Sequence, residues 1–218
     1  MQKVIRAIVH FGAAHISVGT FMLTKKLLQA VTSVAILSTF SALTPASAED
    51  LSGAGYFGQV GKYSDKQEIR FGVMAYDRGL FSTDDFSGAV INGEFLFKSP
   101  EFLEGIGSPR PYIGFDAAIA DDPIHFFYTG LNWDFQLTEK FYLTTSLGGA
   151  ITTANDLHNP TTYKALGCRV LFHAGVGLGY DFSDQWTAQL YADHFSNANL
   201  CDENNGAEAA GIRLGYRF

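Results

Sequence analysis

The stretch from Glu208 to Phe218 constrains this chain most. Reading back from Phe218, the even positions Tyr216, Leu214, Ile212 and Ala210 are apolar. The odd positions Arg217, Gly215, Arg213 and Gly211 are small or charged. A period of two is the signature of a β-strand with one face in an apolar medium. The same register puts Glu208 on the apolar face, and one segment earlier it puts His194 and Ser196 there. Polar groups on such a face cost free energy, so these three are the first candidates for chemistry.

Eight segments share this period: 67–77, 89–98, 111–120, 124–135, 140–151, 170–182, 185–196 and 208–218. The sixth is the clearest, with Val170, Phe172, Ala174, Val176, Leu178 and Tyr180 on one face and His173, Gly175, Gly177, Gly179 and Asp181 on the other. Each is roughly 10–13 residues, the length a tilted membrane strand needs. Alternation alone fits a soluble sandwich or a membrane barrel. Aromatics at the strand ends (Phe135, Phe141, Phe182, Trp186, Phe218) fall at one rim, as a girdle should. Residues 136–139 and 183–184 are short turns, whereas 152–169 and 197–207 are long. Residues 99–110 break that rule, a long connection on the short-turn side. The pattern predicts an all-β fold, an eight-stranded antiparallel up-and-down transmembrane β-barrel. Its narrow interior would be filled with side chains and water, leaving no channel.

Residues 22–48 have the basic start (Lys25, Lys26), apolar run and Ala46-Ser47-Ala48 site of a secretory signal peptide. Residues 1–21 read as an upstream mis-called start, so 1–48 is expected to be absent from the mature chain. Residues 49–66 are a lead-in and 67–218 the barrel. Of the 15 Lys and Arg, four precede residue 49, leaving 11 against 22 acidic residues, a formal charge of −11. That argues against nucleic acid as a partner. Cys168 and Cys201 belong to an oxidising compartment, where a disulfide is plausible.

His194 and Ser196 are two residues apart and share a strand face, while Glu208 opens the next strand. The chemistry asks for this set: a hydroxyl attacks a carbonyl, an imidazole takes its proton, and a carboxylate fixes the imidazole tautomer. His-x-Ser alone is a weak signal, and a reversed strand would make both residues ordinary lumen groups. Trp186, Ala188, Leu190 and Ala192 set the register outward. An acyl chain would then lie along the face of Leu190 and Ala192. Asp193 is expected inside as a lumen hydrogen-bonding residue, and His173 inside as a solvated one. Asp84-Asp85 and Asp121-Asp122 are loop acids with no metal-ligand spacing, and neither a phosphate loop nor a zinc pattern is present.

The run His194-Phe195-Ser196-Asn197-Ala198, followed by Asn204, Gly206 and Glu208, resembles the lipid A 3-O-deacylase family, PagL. The resemblance implies an eight-stranded outer-membrane barrel with a Ser-His-Glu site on its outer wall. It implies Ser196 as nucleophile, His194 as general base and Glu208 as its orienting acid, with lipid A of lipopolysaccharide as substrate and no cofactor or metal. Asn204 falls where that family has an Asn associated with the oxyanion hole. Asn199 stands where the family can have Gly, a departure that Asn's tolerance of left-handed geometry softens. Asn197 is expected to hold the strand-to-loop turn. The alternatives are another outer-membrane lipid esterase or phospholipase, or a non-catalytic structural barrel. The oligomeric state stays open, a homodimer included.

Overall fold

The computed structural model describes residues 58–77, 88–121, 123–155, 157–158 and 164–218. The signal peptide, the start of the lead-in, Asp84-Asp85 and Asp122 lie outside the described residues. Eight strands follow in order: β1 Glu68–Tyr76, β2 Ala89–Leu96, β3 Arg110–Ile119, β4 Phe126–Gln136, β5 Phe141–Thr152, β6 Val170–Asp181, β7 Trp186–Ser196 and β8 Ala207–Arg217. Each pairs antiparallel with its neighbours, and β1 pairs with β8, so the sheet closes and has no edge.

The faces are inverted relative to a soluble protein. Phe71, Val73, Phe127, Leu190, Ile212 and Leu214 are exposed on the outside, whereas four arginines, Arg70, Arg110, Arg213 and Arg217, are buried inside. This sorting decides between sandwich and membrane barrel, because only a lipid environment rewards apolar groups outside. The aromatics Phe141, Phe182, Trp186 and Phe218 are exposed at the short-turn end, as a girdle.

Ion pairs fill the interior near that end. Glu68 takes Arg70 Nε at 2.8 Å, Arg110 Nη2 at 2.8 Å and Arg217 Nε at 3.2 Å. Asp134 pairs with Arg110 at 2.7 Å, and Asp181 with Arg217 at 2.8 Å. Tyrosine rings take the rest of the space. The rings of Tyr128, Tyr191 and Tyr142 lie where a Cβ on Gly114, Gly175 and Gly179 would stand. The Gly-rich inner face is therefore room for aromatic side chains.

Lead-in residues 58–66 close the short-turn end. β3 begins at Arg110, opposite Asn132, so β4 beyond that point lacks a partner on this side. Val60 bridges Phe135 there, and the Gly58 and Gly61 amides donate to the Gln136 and Asp134 carbonyls. Tyr63 hydrogen-bonds Asp181, and the Arg217 guanidinium stacks 3.5 Å from the Tyr63 ring centre. Burial pushes the Tyr63 phenol up, so it stays protonated and serves as the donor. The long 99–110 connection holds a short 3₁₀ turn, Glu101–Ile106, closed by Gly107 at φ 90°.

Candidate active site at the long-loop rim

β7 ends in alternating directions, and one residue anchors it. Phe195 points inward and stacks on Phe126 at 4.1 Å and on His173 at 4.9 Å. Its neighbours His194 and Ser196 therefore point outward, both half-buried on the lipid-facing wall. His194 is the strand partner of Glu208, and its Nδ1 lies 2.9 Å from Glu208 Oε1. The carboxylate side chain is 3% exposed and the imidazole 34%. An ionised carboxylate can only accept, so Nδ1 is the donor in this bond. Gly206, at φ 66°, passes beneath the ring, where an added Cβ would stand 3.1 Å from His194 Cε1. Glycine satisfies both the positive φ and the close approach.

The 197–206 loop rests on the preceding long loop. Asn197 Nδ2 donates to the Leu166 carbonyl at 2.7 Å and also to the Glu203 carbonyl. The Asn205 amide donates to Ala165, and the Cys168–Cys201 disulfide joins the two loops. Residues 164–166 are themselves buried in the barrel mouth, with Lys164 Nζ 2.7 Å from Asp77 Oδ1. Asn204 works within its own loop: Oδ1 accepts from the Asn197 amide at 2.9 Å, and Nδ2 donates to Asn199 Oδ1 at 3.3 Å. Ala198 and Asn199 are both left-handed, at φ 53° and 62°. Two such residues in succession turn their amides out of the β ladder.

One expectation needs correction. His173 is not solvated. It is 1% exposed, sandwiched between Tyr128 and Phe195, with Nδ1 2.7 Å from the Tyr112 hydroxyl. A Gly-rich face suggested water, but the aromatic rings occupy that space. Asp193 does point inward, 4.0 Å from His173 Nε2. Sequence reasoning missed the buried Lys164-Ala165-Leu166 plug, whose only signal was its place beside Cys168. Among the described residues no group of His, Cys, Asp and Glu is placed to hold a metal ion.

Residues 122–217, which include every residue of this site, match the family model described as Lipid A 3-O-deacylase (PagL). No curated protein sequence matches the chain. Among solved structures, the outer-membrane enzyme PagL is 17% identical, with 68% of this chain covering 98% of that one at a TM-score of 0.48. The N-terminal barrel domain of Pseudomonas aeruginosa OprF is 13% identical, with 70% covering 97% at 0.48. Ail of Yersinia pestis is 13% identical, with 70% covering 99% at 0.42. Likenesses this distant say nothing about activity.

Proposed function

We propose that this outer-membrane barrel, which belongs to the lipid A 3-O-deacylase (PagL) family through residues 122–217, is a serine esterase. It would hydrolyse the 3-linked hydroxyacyl ester of lipid A in the outer leaflet. The observation that carries this reading is the bond from His194 Nδ1 to Glu208 on the wall, with Ser196 two residues further along the same face. A lipid substrate lies alongside the barrel and does not enter it, so the wall is where its ester can be reached.

Each residue then has a role. His194 Nε2 takes the Ser196 Oγ proton as the oxygen attacks the ester carbonyl. Glu208 holds the imidazole in the required tautomer and stabilises the imidazolium. The turn amides at Ala198 and Asn199, with the second Nδ2 hydrogen of Asn204, offer donors to the developing oxyanion. Asn197 holds these donors in place. The protonated His194 then releases the sugar hydroxyl, leaving an acyl-enzyme that water cleaves by the same route. One chain supplies every group, with no cofactor and no second copy.

The test is mass spectrometry of lipid A from cells making the wild-type protein or Ser196→Ala. Loss of one 3-linked hydroxyacyl chain with the wild type alone supports the reading. Unchanged lipid A, with both barrels folded in the outer membrane, rejects lipid A as substrate and leaves another lipid ester or a structural barrel.

A further inference from the structure

The long 99–110 connection takes no part in the candidate active site, which lies at the other end of the barrel. No residue of its 3₁₀ turn, Glu101–Ile106, is buried. Phe102 is 83% exposed, and Ile106 and Phe97 are exposed as well. Single apolar side chains on a surface need no partner. These three are different, because of where the turn is held.

Two hydrogen bonds fix its place. At its entry the Ser99 amide donates to the Ser64 carbonyl at 2.7 Å, tying it to the lead-in. At its exit the Trp133 indole Nε1 donates to the Ile106 carbonyl at 2.8 Å. Trp133 belongs to the outer face of β4, since its neighbours Asn132 and Asp134 are buried in the lumen. It stands one outward position from Phe135 of the girdle, on the membrane side. The turn therefore ends against the lipid-facing wall and not over the mouth of the lumen. Its entry also joins the girdle. Phe97 packs on Phe95 at 4.8 Å, and Phe95 lies 6.3 Å from Phe218.

The turn is sorted by side and firmly set. A 3₁₀ helix has three residues per turn, so positions i and i+3 eclipse. Glu101 and Glu104 share one side, and Leu103 and Ile106 a second. Phe102 stands on the third with Gly105. Two apolar sides and one of carboxylates suit a segment lying at the boundary between lipid and water. Gly107, at φ 90°, returns the chain to β3. A Cβ there would stand 2.9 Å from Val60 Cγ1, so the turn is packed against the lead-in.

We infer that this turn is a membrane anchor. Phe102 and Ile106 insert among the phospholipids of the periplasmic leaflet, and Glu101 and Glu104 stay at its water side. The occupant is lipid because the exposed apolar surface continues the girdle through Phe97 and Trp133. Zwitterionic headgroups carry ammonium groups that the two carboxylates can face. The other short-turn connections, 137–140 and 182–185, are too short to leave the wall. The anchor thus holds the barrel from its β2–β4 side, whether or not Ser196 is a nucleophile.

Nitroxide labels on full-length barrels in phosphatidylcholine vesicles would test it. They would be attached through Phe102→Cys, Glu104→Cys or Asp65→Cys, with Cys168 and Cys201 left bridged. Asp65 is an exposed lead-in residue at the same end and serves as the water reference. The label at position 102 should respond to dissolved oxygen and be shielded from a water-soluble nickel chelate. Labels at positions 104 and 65 should meet the chelate. Chelate contact at position 102 equal to that at 65 overturns the anchor. Shielding at 102 from both oxygen and chelate also overturns it, because protein would then cover the site, either a second copy or residues 49–57.

A second readout needs no label. Phe102→Ala should lower the folding equilibrium constant in the same vesicles about tenfold, the lower end of what burying a Phe side chain contributes. Glu104→Ala should stay within twofold of wild type. Phe102 touches so little of the protein that its loss reports on lipid. An unchanged constant for Phe102→Ala would leave the ring in water and refute insertion.

Discussion

The short-turn end of this barrel pairs its buried carboxylates with arginines inside the lumen, whereas the long-loop rim also sets a pair on the outer wall. Near the short turns, Glu68, Asp134 and Asp181 are paired with Arg70, Arg110 and Arg217 inside the lumen, out of reach of any lipid. At the long-loop rim, His194 and Glu208 form their pair on the outer wall, and the imidazole keeps a third of its surface open. Inside, every strand can contribute a partner across the narrow lumen, and the pairs brace the closed sheet. Outside, the membrane supplies no partner, so a polar pair persists only where neighbouring loops shield it. The first arrangement fits a structural role and the second a reactive one, and substitutions at the two ends should separate them.

Ser196→Ala should have the largest effect. Loss of the nucleophile in a serine hydrolase lowers kcat by about 10⁶-fold. His194→Ala should cost nearly as much, and the double variant no more than either alone, because the two act as a unit. Additive losses in single-turnover assays would show that the rim residues do not work together. Glu208→Gln comes next, with a loss of roughly 10³–10⁴-fold, since an amide can donate to Nδ1 and favour the wrong tautomer. Its thermal unfolding in detergent should match wild type, and a large drop in stability with activity retained would make the His194–Glu208 pair a brace like those inside.

Glu68→Ala is the reverse case. It leaves Arg70, Arg110 and Arg217 short of a shared carboxylate in a buried site. Breaking a buried pair from one side costs about 3–5 kcal/mol, which urea titration in lipid vesicles would read as a lower midpoint. The barrels that remain folded should keep their kcat, because no residue of the rim contacts Glu68. A parallel loss of kcat would mean that the lumen network reaches the site.

The contrast also explains what the sequence revealed. Strand positions and facing were legible because the lipid imposes a strict period of two on every strand. His194, Ser196 and Glu208 stood out because they violate that period on the outer face. Inside, polar and small residues are both permitted, so alternation could not distinguish water from aromatic packing at His173, nor show that Glu68 would gather three guanidinium groups. The support beneath the site was equally hidden. Lys164, Ala165 and Leu166 belong to a loop with no period, and their burial follows from contacts distant in sequence.

The smallest effect expected is at the disulfide. Cys168–Cys201 joins the loop carrying the buried plug to the loop carrying Ala198, Asn199 and Asn204. Asn197, through the Leu166 carbonyl, holds the same two loops together by hydrogen bonding. With that second tie present, replacing both cysteines by Ser should loosen the loop without releasing it. Turnover should fall only about 3- to 10-fold, of the order of 1 kcal/mol. Adding Asn197→Ala to the cysteine pair leaves the Asn205 amide on the Ala165 carbonyl as the remaining tie and should cost more than the sum of the separate losses in free energy. Strict additivity would mean the loop is held elsewhere. Unchanged turnover in the triple variant would mean that the Ala198 and Asn199 amides do not receive the oxyanion, and the side chain of Asn204 would be the remaining donor.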